Sequence, residues 1–148
     1  MPCCHLRRLA SKPLSEAYRR QLVTLGDHIR KRRLDLGLFQ SQAGALIGAD
    51  ESSVNRWERH RAAPDLHRLP GIITFLGYNP LPPADTLGKQ LTRYRRTHGL
   101  SRAELAKRLG VDPGTLWKWE AGTREPRGRY LLLVNRLKFD VEHDLAGV

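Results

Sequence analysis

The feature that most restricts how this chain can fold is a repeat within it. Residues 52–64, "SSVNRWERHRAAP", and residues 114–126, "GTLWKWEAGTREP", lie 62 positions apart, and each carries a Trp-Glu pair followed six residues later by a Pro. Aligned at that offset from Thr24/Thr86 to Pro64/Pro126, the halves need no gap, and eleven of 41 pairs are identical. The identities are Thr24/Thr86, Leu25/Leu87, Gly26/Gly88, Arg33/Arg95, Gly37/Gly99, Leu38/Leu100, Gly48/Gly110, Asp50/Asp112, Trp57/Trp119, Glu58/Glu120 and Pro64/Pro126. They fall on glycines, caps and expected core positions, where structure constrains sequence. The chain is therefore read as two copies of one fold unit.

Each unit reads as four to five short helices, with no strand signal. In the second, Thr86 caps a helix whose apolar face is Leu87, Leu91 and Tyr94, and Gly99 is placed to close it in a left-handed conformation. Ser101 and Glu104 form a capping box ahead of "RAELAKRLG", which Gly110 ends. Asp112 caps the next helix, with Pro113 at its first position, where a missing N–H costs nothing. That helix puts Leu116 and Trp119 on one face and stops at Gly122, and Leu131, Val134 and Leu137 form the expected inner stripe of a closing helix. The first unit repeats the plan with Thr24, Gly37, Gly48 and Asp50, and with a closing helix around Leu69, Ile72 and Leu76.

Charge narrows the partner. The 148 residues carry a formal net charge of +11, more than solubility requires, which favours a polyanion such as nucleic acid or an anionic membrane surface. The apolar runs "IITFL" and "LLLV" are far short of the ~20 residues of a spanning helix. No signal-peptide pattern is evident in "MPCCHLRRLASKP", whose basic residues precede no apolar core. The adjacent Cys3 and Cys4 beside His5 lack a second ligand pair at zinc-site spacing, so a plain terminus is the expectation there. A soluble, cytoplasmic protein follows, with no membrane partner, metal, cofactor or evident small-molecule ligand.

Helix, short Gly-containing turn, helix is the helix-turn-helix signature. "GLSRAELAKRLGVDPGTLWKWEAGTREP", residues 99–126, resembles the Cro and lambda-repressor DNA-binding family, also called Xre-like, and "GLFQSQAGALIGADESSVNRWERHRAAP", residues 37–64, resembles it less closely. With flanking helices the resemblance covers about residues 24–139. It implies an all-α chain of two tandem lambda-repressor-like helix-turn-helix bundles, each placing its third helix in the major groove of double-stranded DNA.

The face of each residue then suggests its role. With Val54 and Trp57 inward, Glu51, Ser52, Asn55 and Arg56 face out. Asn55 suits bidentate pairing with adenine, and Glu51 can accept from the amino group of cytosine. By the resemblance, Gln40 touches a phosphate or a base; Arg59 and Arg61 suit phosphates. In unit two the matching outward residues are Pro113, Gly114, Trp117 and Lys118, with Arg102 in place of Gln40; Thr115 and Arg124 complete the expected DNA-facing set. Trp117 pairs with the exposed Asn55, so it contacts either DNA or another protein surface. Trp57 and Trp119 are core residues. Glu58 and Glu120 are either solvated or paired with Arg33 and Arg95, and the resemblance implies the salt bridge.

The units differ. Residues 25–80 hold eight Lys or Arg against six acids, a net of +2, whereas residues 86–139 hold thirteen against four, a net of +9. Unit two is expected to be the electrostatic anchor and unit one the base reader. In unit one His60 replaces Gly122 where a positive φ is expected, Ala43 and Gly44 replace Leu105 and Ala106, and Pro70 should delay or kink the closing helix. The expected organisation is a basic arm over 1–23 with a helical stretch near "SEAYRRQLV", units over 24–78 and 86–140, a Pro-rich linker over 79–85, and an acidic tail over 141–148. "GYNPLPPAD" is semi-stiff and spans about 30 Å at most when extended. The functional expectation is sequence-specific DNA binding by a non-enzymatic transcriptional regulator, acting alone, as a homodimer or with a partner protein. The alternative is a protein-interaction adaptor or an antitoxin-like partner.

Overall fold

A computed structural model describes the backbone of residues 21–146 and the side chains up to residue 137. Among the described residues eight α-helices occur, in the order α1 Leu25–Asp35, α2 Gln40–Ile47, α3 Glu51–Glu58, α4 Leu69–Leu76, α5 Leu87–Thr97, α6 Arg102–Leu109, α7 Pro113–Glu120 and α8 Arg129–Ala146, with a 3-10 turn at Leu66–Arg68 before α4. No strand occurs among the described residues, and the fold is all-α, as expected. The bounds of α1 to α3 recur in α5 to α7 at the same offset of 62 residues.

Local chemistry sets those bounds. The Thr24 hydroxyl accepts from Asp27 N, Asp50 from Ser53 N, and Asp112 from Thr115 N, each satisfying an amide that its helix leaves unpaired. Ser101 and Glu104 form the expected reciprocal capping box, at 3.2 and 2.6 Å. Gly48 and Gly110 close α2 and α6 at φ of 84° and 69°, a conformation that a side chain would resist. His60 adopts the anticipated positive φ, 57°, and its Nε2 lies 2.8 Å from Asp27 Oδ1, which ties the strained residue to the first turn of α1. Pro70 does not kink α4; it sits in the first turn, where its missing N–H costs nothing.

Two buried clusters form. One gathers Ile29, Ile47, Val54, Trp57, Ile72 and Phe75 from α1 to α4. The other gathers Leu91, Leu105, Leu109, Leu116, Trp119 and Val134 from α5 to α8. Gly26 and Gly88 explain how α1 and α5 approach so closely. A Cβ on Gly88 would lie 2.5 Å from the Glu120 carbonyl oxygen and 2.6 Å from that of Trp119, and one on Gly26 would strike the Trp57 carbonyl. The obstacle is backbone, so it cannot swing aside.

The closing helices depart from expectation. Val134 is buried and Leu137 packs at the edge of the second cluster, but Leu131 does not join the inner stripe. Leu131 is 39% exposed, whereas Leu69, the residue 62 positions earlier in α4, is 2% exposed. That side of α4 is covered by α5, while the same side of α8 is open. α8 stays helical to Ala146, with no Gly or Pro to interrupt it before Gly147, so it runs into the segment expected as an acidic tail. Residues 1–20, with Cys3, Cys4, His5 and most of "SEAYRRQLV", lie outside the described residues; Gln21–Val23 are not helical.

The segment between the units is anchored rather than a free spacer. Leu81 is buried, Asn79 Nδ2 donates to Thr97 Oγ1 at 2.9 Å, and Leu81 N donates back to Asn79 Oδ1 at 3.0 Å. α4 packs directly on α5, where a Cβ on Gly99 would lie 3.0 Å from the Pro70 ring and 3.3 Å from His67 Cα. Leu69 and Ile73 are buried without belonging to either core cluster, in keeping with a face set between the units. The spacing of the two units is thus set by packing, not by the reach of a tether.

Two outcomes follow. Gly88→Ala should destabilise the fold by about 1–3 kcal/mol or more through overpacking against fixed backbone, read as a lower denaturant midpoint; an unchanged midpoint contradicts the close approach. Acid should also destabilise it. Burial pushes the Asp27 carboxyl up, but hydrogen bonds from the Thr24 backbone, His60 and the Thr24 hydroxyl outweigh it and hold the group at about 2. Hydrogen bonds from Ser53 and Thr115 likewise hold Asp50 and Asp112 below the ordinary carboxylate range. Folded-state values below unfolded ones give stability that is present above about pH 4 and lost as pH falls toward 2. Melting temperature should therefore be level near neutrality and drop below about pH 4, and a flat profile down to pH 2.5 would contradict these caps.

Candidate nucleic-acid interface

The candidate interface is backed by one buried carboxylate in each unit. The Glu58 and Glu120 side chains are each 4% exposed. A carboxylate buried that deeply must be paired and hydrogen-bonded to remain charged. Arg33 meets Glu58 through two parallel bonds, Nε to Oε1 at 2.6 Å and Nη2 to Oε2 at 2.9 Å, the fork geometry in which a guanidinium binds a carboxylate most strongly. Arg95 Nε meets Glu120 Oε1 at 2.7 Å. The paired reading of these residues is the observed one. Each arginine also donates from Nη1 to a backbone carbonyl, Leu38 at 2.9 Å and Leu100 at 3.1 Å. The pair therefore joins the first helix, the following turn and the third helix of its unit.

A further partner was not foreseen. Gln40 Nε2 donates to Glu58 Oε2 at 2.9 Å, and Asn55 Nδ2 donates to Gln40 Oε1 at 3.0 Å. A chain of bonds thus runs from the part-buried Arg33 through the buried Glu58 out to the expected reader on α3. One Asn55 amide proton and its carbonyl oxygen are left over, the donor and acceptor needed for the N7 and N6 edge of adenine. In unit two Arg102 takes the place of Gln40 and donates from Nε to Glu120 Oε2 at 2.8 Å. Its side chain, 41% exposed, still reaches solvent, so Glu120 is held by two guanidinium groups, one inside and one at the surface.

The structure brings the unit-one set together. Gln40, Glu51, Ser52, Asn55 and Arg56 line one shallow, open depression of about 480 Å³. Arg59 and Arg61 are exposed just beyond α3. The unit-two set is more scattered. Pro113, Gly114, Trp117 and Lys118 are exposed on α7, and Trp117 remains 50% exposed outside both clusters. Thr115 and Arg124 border a separate concavity with Trp119 and Tyr130, of about 820 Å³, on which Trp117 and Lys118 do not lie. The Thr115 hydroxyl donates to Asp112, so it serves the helix cap. Trp57 and Trp119 are buried, as expected.

The order of helix, glycine-closed turn and second helix with a solvent-facing polar side defines a helix-turn-helix arrangement. Residues 86–145 match the helix-turn-helix domain family. The match spans α5 almost to the end of α8 and supports a helix-turn-helix DNA-binding domain there. No curated protein and no solved structure matches the chain. No helix among the described residues is long and apolar enough to cross a membrane.

Removing one partner of a buried pair leaves the other charge behind, at a cost of about 3–5 kcal/mol. Glu120→Ala should lower the denaturant midpoint accordingly, and Glu58→Ala should do the same in unit one while also loosening Gln40 and Asn55. Unfolding curves unchanged by either substitution would remove both pairs from any account of stability.

Proposed function

We propose that this protein is a sequence-specific, double-stranded DNA-binding transcriptional regulator of the cytoplasm, not an enzyme, built from two tandem helix-turn-helix units of the Cro/lambda-repressor type. The carrying observation is the bonded chain Arg33–Glu58–Gln40–Asn55, which ends on an open polar depression at the outer side of α3. A reader held from behind loses less side-chain freedom when it meets a base edge, so its hydrogen bonds yield more net discrimination.

In this reading α3 enters the major groove with Asn55 on adenine, Glu51 on cytosine, and Ser52 and Arg56 beside them. Gln40, Arg59 and Arg61 position the unit on phosphates. In unit two, Lys118, Arg102 and Arg124 act on the backbone, and Trp117 lies on a thymine methyl or a sugar. The charge asymmetry, a net of +9 over residues 86–139 against +2 over 25–80, supports this division between anchor and reader. Because α4 docks on α5, the separation of the two readers is fixed and the site is asymmetric.

Selection from a random duplex library, followed by titration at several salt concentrations, tests the proposal. The expected outcome is one asymmetric consensus, with log affinity falling linearly against log salt at a slope of about −0.9 per phosphate contact. Asn55→Ala should cost about 1–3 kcal/mol on the selected site and relax one base position, whereas Lys118→Ala should weaken all sequences alike and reduce the salt slope by about 1. Absence of an enriched sequence, or binding indifferent to salt, overturns the proposal.

A further inference from the structure

The contact between the units leaves both of its halves duplicated and unused elsewhere on the chain. Inside the chain the donor is the outer side of the closing helix α4, with Leu69 and Pro70, and the acceptor is the turn after α5, with Gly99 at its centre. Because the units repeat, α8 carries the donor positions again as Leu131 and Leu132, and the turn after α1 carries the acceptor positions again around Gly37. Leu69 is 2% exposed, but Leu131 is 39% and Leu132 is 68% exposed. Gly99 is buried against Pro70, whereas a Cβ on Gly37 would meet nothing within 4 Å.

The unused acceptor is also more apolar than the used one. Around Gly37 stand Leu34, Leu36 and Phe39, all exposed, where unit two has Arg96, His98 and Ser101 around Gly99. On the donor side Leu131 and Leu132 stand where α4 has Leu69 and Pro70, and Asn135 stands where it has Ile73. Single exposed apolar residues are ordinary, but two clusters at the equivalent places of one existing contact are not explained that way. The difference in polarity has a physical reason. The contact inside the chain is helped by the short connection, which supplies a high effective concentration. A contact between separate chains lacks that help and needs more apolar burial to form.

We propose that α8 of one copy docks, through Leu131 and Leu132, on the Leu34–Phe39 turn of a second copy, repeating between chains the contact that α4 makes with the turn after α5. The interface is heterologous: donor and acceptor are different surfaces, so growth continues until a ring closes or a filament forms. Pairing of α8 with α8 would instead be self-complementary and would stop at two chains. The inference does not depend on DNA binding, and its test omits DNA.

Sedimentation velocity of the full chain over a concentration series should show mass rising past two copies. Leu132→Glu, which removes the donor, and Leu36→Glu, which removes the acceptor, should each sediment as a single chain, with circular dichroism and melting unchanged because both positions are exposed. An equimolar mixture of the two variants should form a two-chain complex that grows no further, since one variant retains the donor and the other the acceptor. Phe39→Ser, which installs the residue found at the matching position of unit two, should weaken assembly in the same direction and provides a second acceptor variant. Wild-type protein that stays a single chain throughout overturns the proposal, as does Leu36→Glu protein that assembles like wild type or a mixture that remains single chains.

Discussion

A carboxylate buried under the third helix is the constraint around which each unit is arranged. Placing Glu58 or Glu120 in the interior is unfavourable unless a guanidinium meets it with good geometry, and Arg33 and Arg95 do so from the first helix. That pairing requires α1 and α5 to pass tightly over the ends of α3 and α7, which only a glycine at positions 26 and 88 permits. The second guanidinium arm then fixes the Leu38 or Leu100 carbonyl, and the free edge of the carboxylate takes Gln40 or Arg102 at the start of the next helix. Arg, Gly and Glu recur as identities because one ion pair needs all three at once, whereas Leu38, Leu100, Trp57 and Trp119 belong to the apolar clusters or pack against them.

The same carboxylate links the core to the outer face of the third helix. In unit one its outermost partner is neutral, and the amide of Gln40 passes the constraint on to Asn55. In unit two the outermost partner is a cation, and the residue matching Asn55 is Trp117, which accepts nothing from Arg102 and stays half exposed. One scaffold thus ends in an oriented donor and acceptor on one side and in an exposed charge beside an apolar ring on the other. The divergence of the two outer faces begins with a single exchange, Gln40 against Arg102, one layer beneath them.

What could be read from the sequence was mostly what a few neighbouring residues decide. Thr24, Ser101 and Asp112 mark helix starts because their caps act within three residues, and Gly48, Gly110 and the positive φ of His60 follow from local backbone sterics. The burial of Trp57 and Trp119 follows from helical periodicity. The misses depended on distant surfaces. Leu131 has the same pattern as Leu69, and only the presence of α5 beside α4 separates their fates. The bonds of Gln40 and Arg102 depend on where Glu58 and Glu120 lie, each 18 residues away in sequence, and that of Asn55 depends on Gln40, 15 residues away.

The docking of α4 on α5 changes what the Pro-rich segment does. A tether of nine residues would let the two units adopt many spacings, at an entropic cost whenever one spacing had to be fixed. Here Asn79 and Leu81 are committed to the second unit, and Pro70 fills the place that only a glycine at position 99 leaves open. The entropy of fixing the two units is then met during folding rather than during binding. The proposed two-unit reader would then gain affinity from both units only on a site of matching spacing, and under that proposal the geometry between the units would discriminate among sequences.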